Sequence, residues 1–173
     1  MLADALDNHT EAEQRVLAQT RSNGGMNLLH VVCKLNLPNA IRTLLRLDPT
    51  LANITTFPES TPGHYTPLQC LLNAPVPPAD GPARSCRLGV VSDLVANMTG
   101  EALRSTTRPL PRLTRKLEAK DSGGMNVLHN LAARGDAMFL DIWGVIHARI
   151  LDLGGDGGTA MEFLNVGSRA GRN

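Results

Sequence analysis

The chain has 173 residues, a length suited to one domain, with 42% hydrophobic residues, 19% charged residues and a formal net charge of +1. That balance excludes a disordered chain, a collagen, a disulfide scaffold and a polyelectrolyte. With 3% aromatic residues it also argues against an aromatic-lined cofactor pocket and against a base-stacking platform.

No run reaches the roughly 18 apolar residues that a membrane span needs. Residues 1–10 carry Asp4 and Asp7 and lack the basic start of a secretory signal. Cys33, Cys70 and Cys86 form no close pair, which suits a reducing compartment. A cytoplasmic or nuclear setting is therefore expected, and the sequons at Asn8, Asn53 and Asn97 read as chance.

The first predicted element opens at Thr10-Glu11-Ala12-Glu13, a capping box that starts a helix running to about Gln19. Gly24 and Gly25 then permit a tight turn. Asn27 is an N-cap type before a short apolar helix over residues 28–35. From Leu37, the residues Ala40, Ile41, Leu44 and Leu45 keep helical spacing until Asp48-Pro49 stops the run.

Residues 57–62, with two prolines, lengthen the next turn. Thr66 is again an N-cap type, and Pro67 stands at the first helical position, where its missing N–H costs nothing. Residues 75–82 are too rich in proline for a helix and predict a loop. Leu88, Val91, Leu94, Val95 and Met98 then form one helical face. Residues 99–122 predict a long connection that opens with about one helical turn. Asn126 caps a further short helix. Residues 137–153 are apolar on most sides, as in a helix with neighbours on both flanks. Gly154-Gly155-Asp156-Gly157-Gly158 predicts a turn into Thr159, another N-cap type.

These elements repeat. Gly24-Gly25-Met26-Asn27-Leu28-Leu29-His30 recurs 99 residues later as Gly123-Gly124-Met125-Asn126-Val127-Leu128-His129, an offset of three times 33. Gly63-His64-Tyr65-Thr66-Pro67-Leu68-Gln69 lies between the two copies. Gly157-Gly158-Thr159-Ala160-Met161-Glu162 follows, with Met161 33 residues after Leu128. With its Thr66-Pro67-Leu68 step, with His30 and His129 after the matching leucines, and with Ala132, Ala133 and Gly135, the chain resembles the ankyrin-repeat family over residues 22–165. It departs from that pattern in two ways. Leu28, Val127 and Ala160 replace the proline, and Gln69 and Glu162 replace the histidine. The intervals of 39 and 60 residues are also too long, the second by about 27 residues.

The expected fold is all-α: a solenoid of stacked helix pairs with extended turns. Residues 1–21 are read as a partial N-terminal repeat, 22–55 as repeat 1, and 56–98 as repeat 2 with its proline-rich loop. Residues 99–120 are the long basic connection, 121–153 repeat 3, and 154–173 a partial fourth repeat. The short ends suggest a piece of a longer array or multidomain protein. The resemblance implies a non-catalytic protein–protein interaction module, an adaptor or inhibitor, whose concave face would hold Asn23, Gly24, Met26, Lys34, His64, Tyr65, Ser122, Met125 and Arg134. It also implies that His30 and His129 bond neighbouring loops.

No chemistry outside binding is well supported by the residues. Asp121-Ser122-Gly123-Gly124 looks like the surroundings of a serine nucleophile, but the other copy of this turn reads Ser22-Asn23-Gly24-Gly25, so a repeat turn explains both. His30 and Cys33 could share a helix face as metal ligands, yet no second pair has ligand spacing. The glycines at 154–158 lack the Lys-Ser/Thr of a phosphate loop. Asp141 and Asp152 read as a solvated stripe. No metal, cofactor or enzymatic activity is therefore expected.

Arg104, Arg108, Arg112, Arg115, Lys116 and Lys120 form a basic run, diluted only by Glu118. The plainer reading is a solvated loop. The alternative is a site for nucleic acid, an acidic surface or a nuclear import factor. The run holds no aromatic residue, which argues against single-stranded nucleic acid. If the loop were ordered, Asp93 and Glu101 would be its partners.

Overall fold

The computed structural model describes residues 9–56, 65–74, 82–107, 127–133, 135 and 138–154. Among these, all regular structure is helical. The helices are α1 (Glu11–Gln19), α2 (Leu28–Lys34), α3 (Pro38–Leu47), a 3-10 turn (Pro49–Asn53), α4 (Pro67–Asn73), α5 (Pro82–Ala96), α6 (Gly100–Thr107), α7 (Val127–Ala133) and α8 (Phe139–Asp152).

Local chemistry sets the boundaries. The Thr10 side chain accepts from the Glu13 amide while Glu13 Oε2 accepts from the Thr10 N–H at 2.8 Å, closing the capping box of α1. Asn27 and Thr66 cap α2 and α4 in the same reciprocal way. Asn36, at φ 52°, takes the left-handed conformation that ends α2, and Pro38 starts α3 at once. At the far end of α3 the Asp48 carboxylate accepts from the Thr50 amide at 3.0 Å, the Thr50 hydroxyl at 2.6 Å and Gln19 Nε2 at 2.7 Å. One side chain therefore starts the 3-10 turn and ties α1 to it. Burial pushes the pKa of Asp48 up, but the bonds from Thr50 and Gln19 outweigh it and hold the carboxyl below its usual range.

Three helix pairs are visible: α2 with α3, α4 with α5, and α7 with α8. The pairs lie side by side. The first helices α2, α4 and α7 form one row, and the second helices α3, α5 and α8 form another. Helix α1 covers both helices of the first pair. Between the rows runs one continuous apolar core. It takes Leu29, Val32 and Cys33 from α2 with Ile41 and Leu44 from α3, Leu68, Leu71 and Leu72 from α4 with Val91 and Leu94 from α5, and Leu128 and Leu131 from α7 with Ile142 and Ile146 from α8. Each of these fully buried aliphatic side chains contributes about 1.5–3 kcal/mol.

Three features differ from the sequence expectations. Pro82 belongs to α5, opening the helix rather than closing the loop, because a proline in the first turn gives up no bond. The connection after residue 98 begins with eight helical residues in α6, whose Ala102, Leu103, Ser105 and Thr106 are buried. Helix α8 buries one stripe, Met138, Ile142, Ile146 and Ile150, while Leu140 on its other flank is 74% exposed. Among the described residues it therefore has a neighbouring pair on one side only. The turn at 57–62, the loop at 75–81, the remainder of the connection from 108, the caps Asn126 and Thr159, and the fourth repeat lie outside the described residues.

Candidate interaction face and the bonds between units

The first helices are joined by side chains at equivalent positions. His30 is the third residue of α2, buried, with its ring reaching the segment at Tyr65. Its Nδ1 accepts from the Asn27 backbone N–H at 3.3 Å, and its Nε2 lies 3.0 Å from the Tyr65 carbonyl. A carbonyl only accepts, so Nε2 carries the proton; Nδ1 also lies 2.6 Å from Asn27 Oδ1, which accepts from the His30 N–H. Burial is the main reason that the ring's pKa falls to about 4, the Tyr65 carbonyl opposing the shift and the Arg21 guanidinium adding to it.

Gln69 does the same work one unit later. Its Oε1 accepts from the Thr66 N–H at 2.8 Å, and its Nε2 donates to the carbonyls of Thr106 at 2.9 Å and Ser105 at 3.2 Å. The Thr106 hydroxyl donates to the Ala102 carbonyl, so the Thr66 hydroxyl donates to Thr106 across 2.8 Å. In these two units the third helical residue closes its own cap and reaches the backbone of the next segment. The C-terminal end of α6 fills for α4 the place that the segment at Tyr65 fills for α2. The Thr66-x-x-Gln69 spacing is a capping-box pattern, which is the signal that marks Gln69 in the sequence.

The second helices are joined by charge. Arg42 Nε on α3 meets Asp93 Oδ2 on α5 at 2.8 Å, and Arg84 on α5 meets Asp141 on α8 at 2.9 Å. Asp93 is a partner of Arg42, and Asp141, exposed on α8, is a partner of Arg84 across to α5. Gly89 lets the Arg42 guanidinium lie close against α5: a Cβ there would stand 2.9 Å from Nη2. Beside this pair Asn39, Thr43, Leu45, Arg46 and Asn97 line an open groove of about 700 Å³.

Two arginines cap helix ends from within. Buried Arg87 donates to the carbonyls of Leu71 at 3.1 Å and Leu72 at 3.4 Å, at the C-terminal end of α4. Arg149 on α8 donates to the Met98 carbonyl at 3.2 Å, just after α5. Trp143 stacks on His147 with ring centroids 5.6 Å apart.

The expected interaction residues fall on the first-helix side in part. Asn23 and Gly24 are exposed at the turn before α2, and Gly25 has the positive φ of 75° that the turn requires. Met26 is half-buried and Lys34 is exposed on α2. Tyr65 is half-buried; its N–H donates to the Thr56 hydroxyl at 3.0 Å, and its own hydroxyl is buried without a partner. Arg104 stands on helix α6, exposed, rather than in a loop. His64, Ser122, Met125, Arg134, Arg108, Arg112, Arg115, Lys116 and Lys120 lie outside the described residues.

The sequence reading missed three neighbours of Lys34. Val31 is exposed on α2, Leu35 just past its end is 61% exposed, and Leu37 is exposed two residues further on. Leu29, Val32 and Cys33 point into the core, so Val31, Lys34 and Leu35 fall on the opposite side of the helix, a phase that was readable from the spacing. Cys70, half-buried on α4, is the counterpart of Val31. Burial pushes its thiol up to about 11, offset in part by the Lys34 ammonium.

Among the described residues no three His, Cys, Asp or Glu side chains gather as metal ligands. His30 spends both ring nitrogens on the backbone. None of the described helices is long and apolar enough to cross a membrane. Comparison of the chain with models of protein families, with curated proteins and with solved structures finds no match in any of the three.

Proposed function

We propose that this chain is a protein–protein interaction module of the ankyrin-repeat type, which holds a partner against the row of first helices and the turns that precede them. The observation that carries the reading is the equivalence of His30 and Gln69. Both close a cap and bond the backbone of the following segment, which is the role the repeat resemblance implies for this position. Such bonds hold the turns in fixed relation to the first helices, and a rigid surface binds with less loss of conformational freedom. The reading assigns no catalytic residue. The side chains that best fit a binding role are Asn23, Met26 and Lys34, which carry no part of the core.

The test compares two surfaces. One variant replaces Asn23, Met26 and Lys34 with Ala. The other replaces Asn39, Thr43 and Arg46, on the second-helix side. Each is used to capture partners from the source cell, with circular dichroism as the check on folding. Loss of capture in the first variant alone is expected. Loss in the second alone would place the binding surface on the other side of the molecule.

A further inference from the structure

The two rows of helices treat charge differently. On the second-helix side, acids and bases pair within the protein, Arg42 with Asp93 and Arg84 with Asp141. The first helices α2, α4 and α7, seven residues each, contain no Asp or Glu at all. The acids of the described residues lie elsewhere: Glu11 and Glu13 on α1, Asp48 after α3, Asp93 on α5, Glu101 on α6, and Asp141 and Asp152 on α8.

Lys34 is the one base of these three helices. It is exposed and has no carboxylate partner among the described residues. Near it in sequence stand Val31, Leu35 and Leu37, three aliphatic side chains exposed to water, with Cys70 half-buried at the position of the neighbouring α4 equivalent to Val31. Exposed apolar residues are common singly. Here Val31, Lys34 and Leu35 share the side of α2 and its end that faces away from the core, with Leu37 just beyond and no carboxylate partner for the ammonium among the described residues.

We infer that the surface formed by Val31, Lys34, Leu35, Leu37 and Cys70 docks an acidic amphipathic segment of a partner protein. The segment supplies aliphatic or aromatic side chains to the apolar residues and a carboxylate to Lys34. The inference rests on the proposed function and names the chemistry of its partner. A basic segment would meet Lys34 with like charge and find no carboxylate on the first helices to offset it. A purely apolar one would strip water from the ammonium without replacing it. A polyanion such as nucleic acid would gain from Lys34 but find aliphatic side chains where it needs further bases and aromatic platforms.

The probe is a phage-displayed random-peptide library selected on the immobilised chain, with affinities of selected peptides measured by fluorescence anisotropy. Peptides rich in Asp or Glu interspersed with Leu, Ile or Phe are expected. Their affinity should fall roughly tenfold on Lys34→Glu and on Leu35→Ser, and stay unchanged on Arg46→Glu. A peptide with its acids changed to Lys should regain affinity for Lys34→Glu. Neutral or basic selected peptides, no enrichment, equal affinity for the variants, or displacement by a single-stranded oligonucleotide would each overturn the inference. The surface comparison described for the proposed function is independent of it: a partner lost with Asn23, Met26 and Lys34 but bound through a non-acidic segment would keep the module and discard the acidic docking segment.

Discussion

His30 couples the fold to pH through its burial. The unfolded chain takes up a proton on this ring near its ordinary value of 6.5, whereas the folded chain resists protonation down to about 4. Between those values the unfolded state binds more protons. The contribution of His30 to stability is therefore complete above about pH 6.5 and is lost as pH falls toward 4. At pH 5 the loss is on the order of 2 kcal/mol. Asp48 acts lower, its contribution fading only as pH falls below its ordinary 3.8. Gln69 shows that an amide makes both of the bonds that His30 makes. His30→Gln is accordingly expected to keep stability at pH 7 within about 1 kcal/mol and to flatten the dependence between pH 7 and 5, measured by urea unfolding. A His30→Gln protein with the wild-type pH slope would assign that slope to another group. His30→Ala, by contrast, leaves the buried Asn27 N–H unmet, at about 1–3 kcal/mol, while the Tyr65 carbonyl keeps the Thr56 N–H at 3.0 Å.

At the scale of elements, caps carry much of the definition, and most of them could be read in advance. Thr10 with Glu13, Asn27, Thr66 and Pro67 are local signals, because a cap depends on residues three positions apart. The apolar phases of α3 and α5 were legible for the same reason. What was not legible depends on contacts distant in sequence. The burial of α6 arises because Gln69 and Thr66 offer partners to its last turn. Arg87 reads as a surface residue until the packing of α5 brings it to the open carbonyls of α4. Removing that guanidinium while keeping an apolar stem, as in Arg87→Met, should cost about 1–3 kcal/mol and expose α4 amides to faster hydrogen exchange. Unchanged exchange in residues 70–74 would deny it the capping role. Gly89→Ala should act the other way. The added methyl meets only the flexible end of Arg42. Alanine is favoured over glycine by about 1 kcal/mol within a helix, and a solvent-exposed ion pair contributes little. A raised Tm is expected, and a lowered one would show that the Arg42 position matters to the fold. Of the candidate face, turn position and helix phase were readable, but the pairing of acids on the other side was not, since it joins residues about 50 positions apart.

Over the whole molecule, a single pair of short helices cannot bury its apolar side, so each pair depends on the next. Leu68 sits in the middle unit with no exposed surface. Leu68→Ala should cost roughly 2–5 kcal/mol, whereas Asn23→Ala at an exposed turn should change stability by less than about 0.5 kcal/mol. The central claim is that one core links the first unit to the last, so that the interaction face behaves as one rigid surface. Trp143, the only tryptophan of the chain, lies on α8, and Leu29 is buried on α2, two units away. The direct measurement is urea unfolding of Leu29→Ala, followed both by Trp143 fluorescence and by far-ultraviolet circular dichroism. The account predicts that both signals shift together to a lower midpoint. A Trp143 transition left at its wild-type midpoint, while the dichroism shifts, would show units that fold independently and would contradict it.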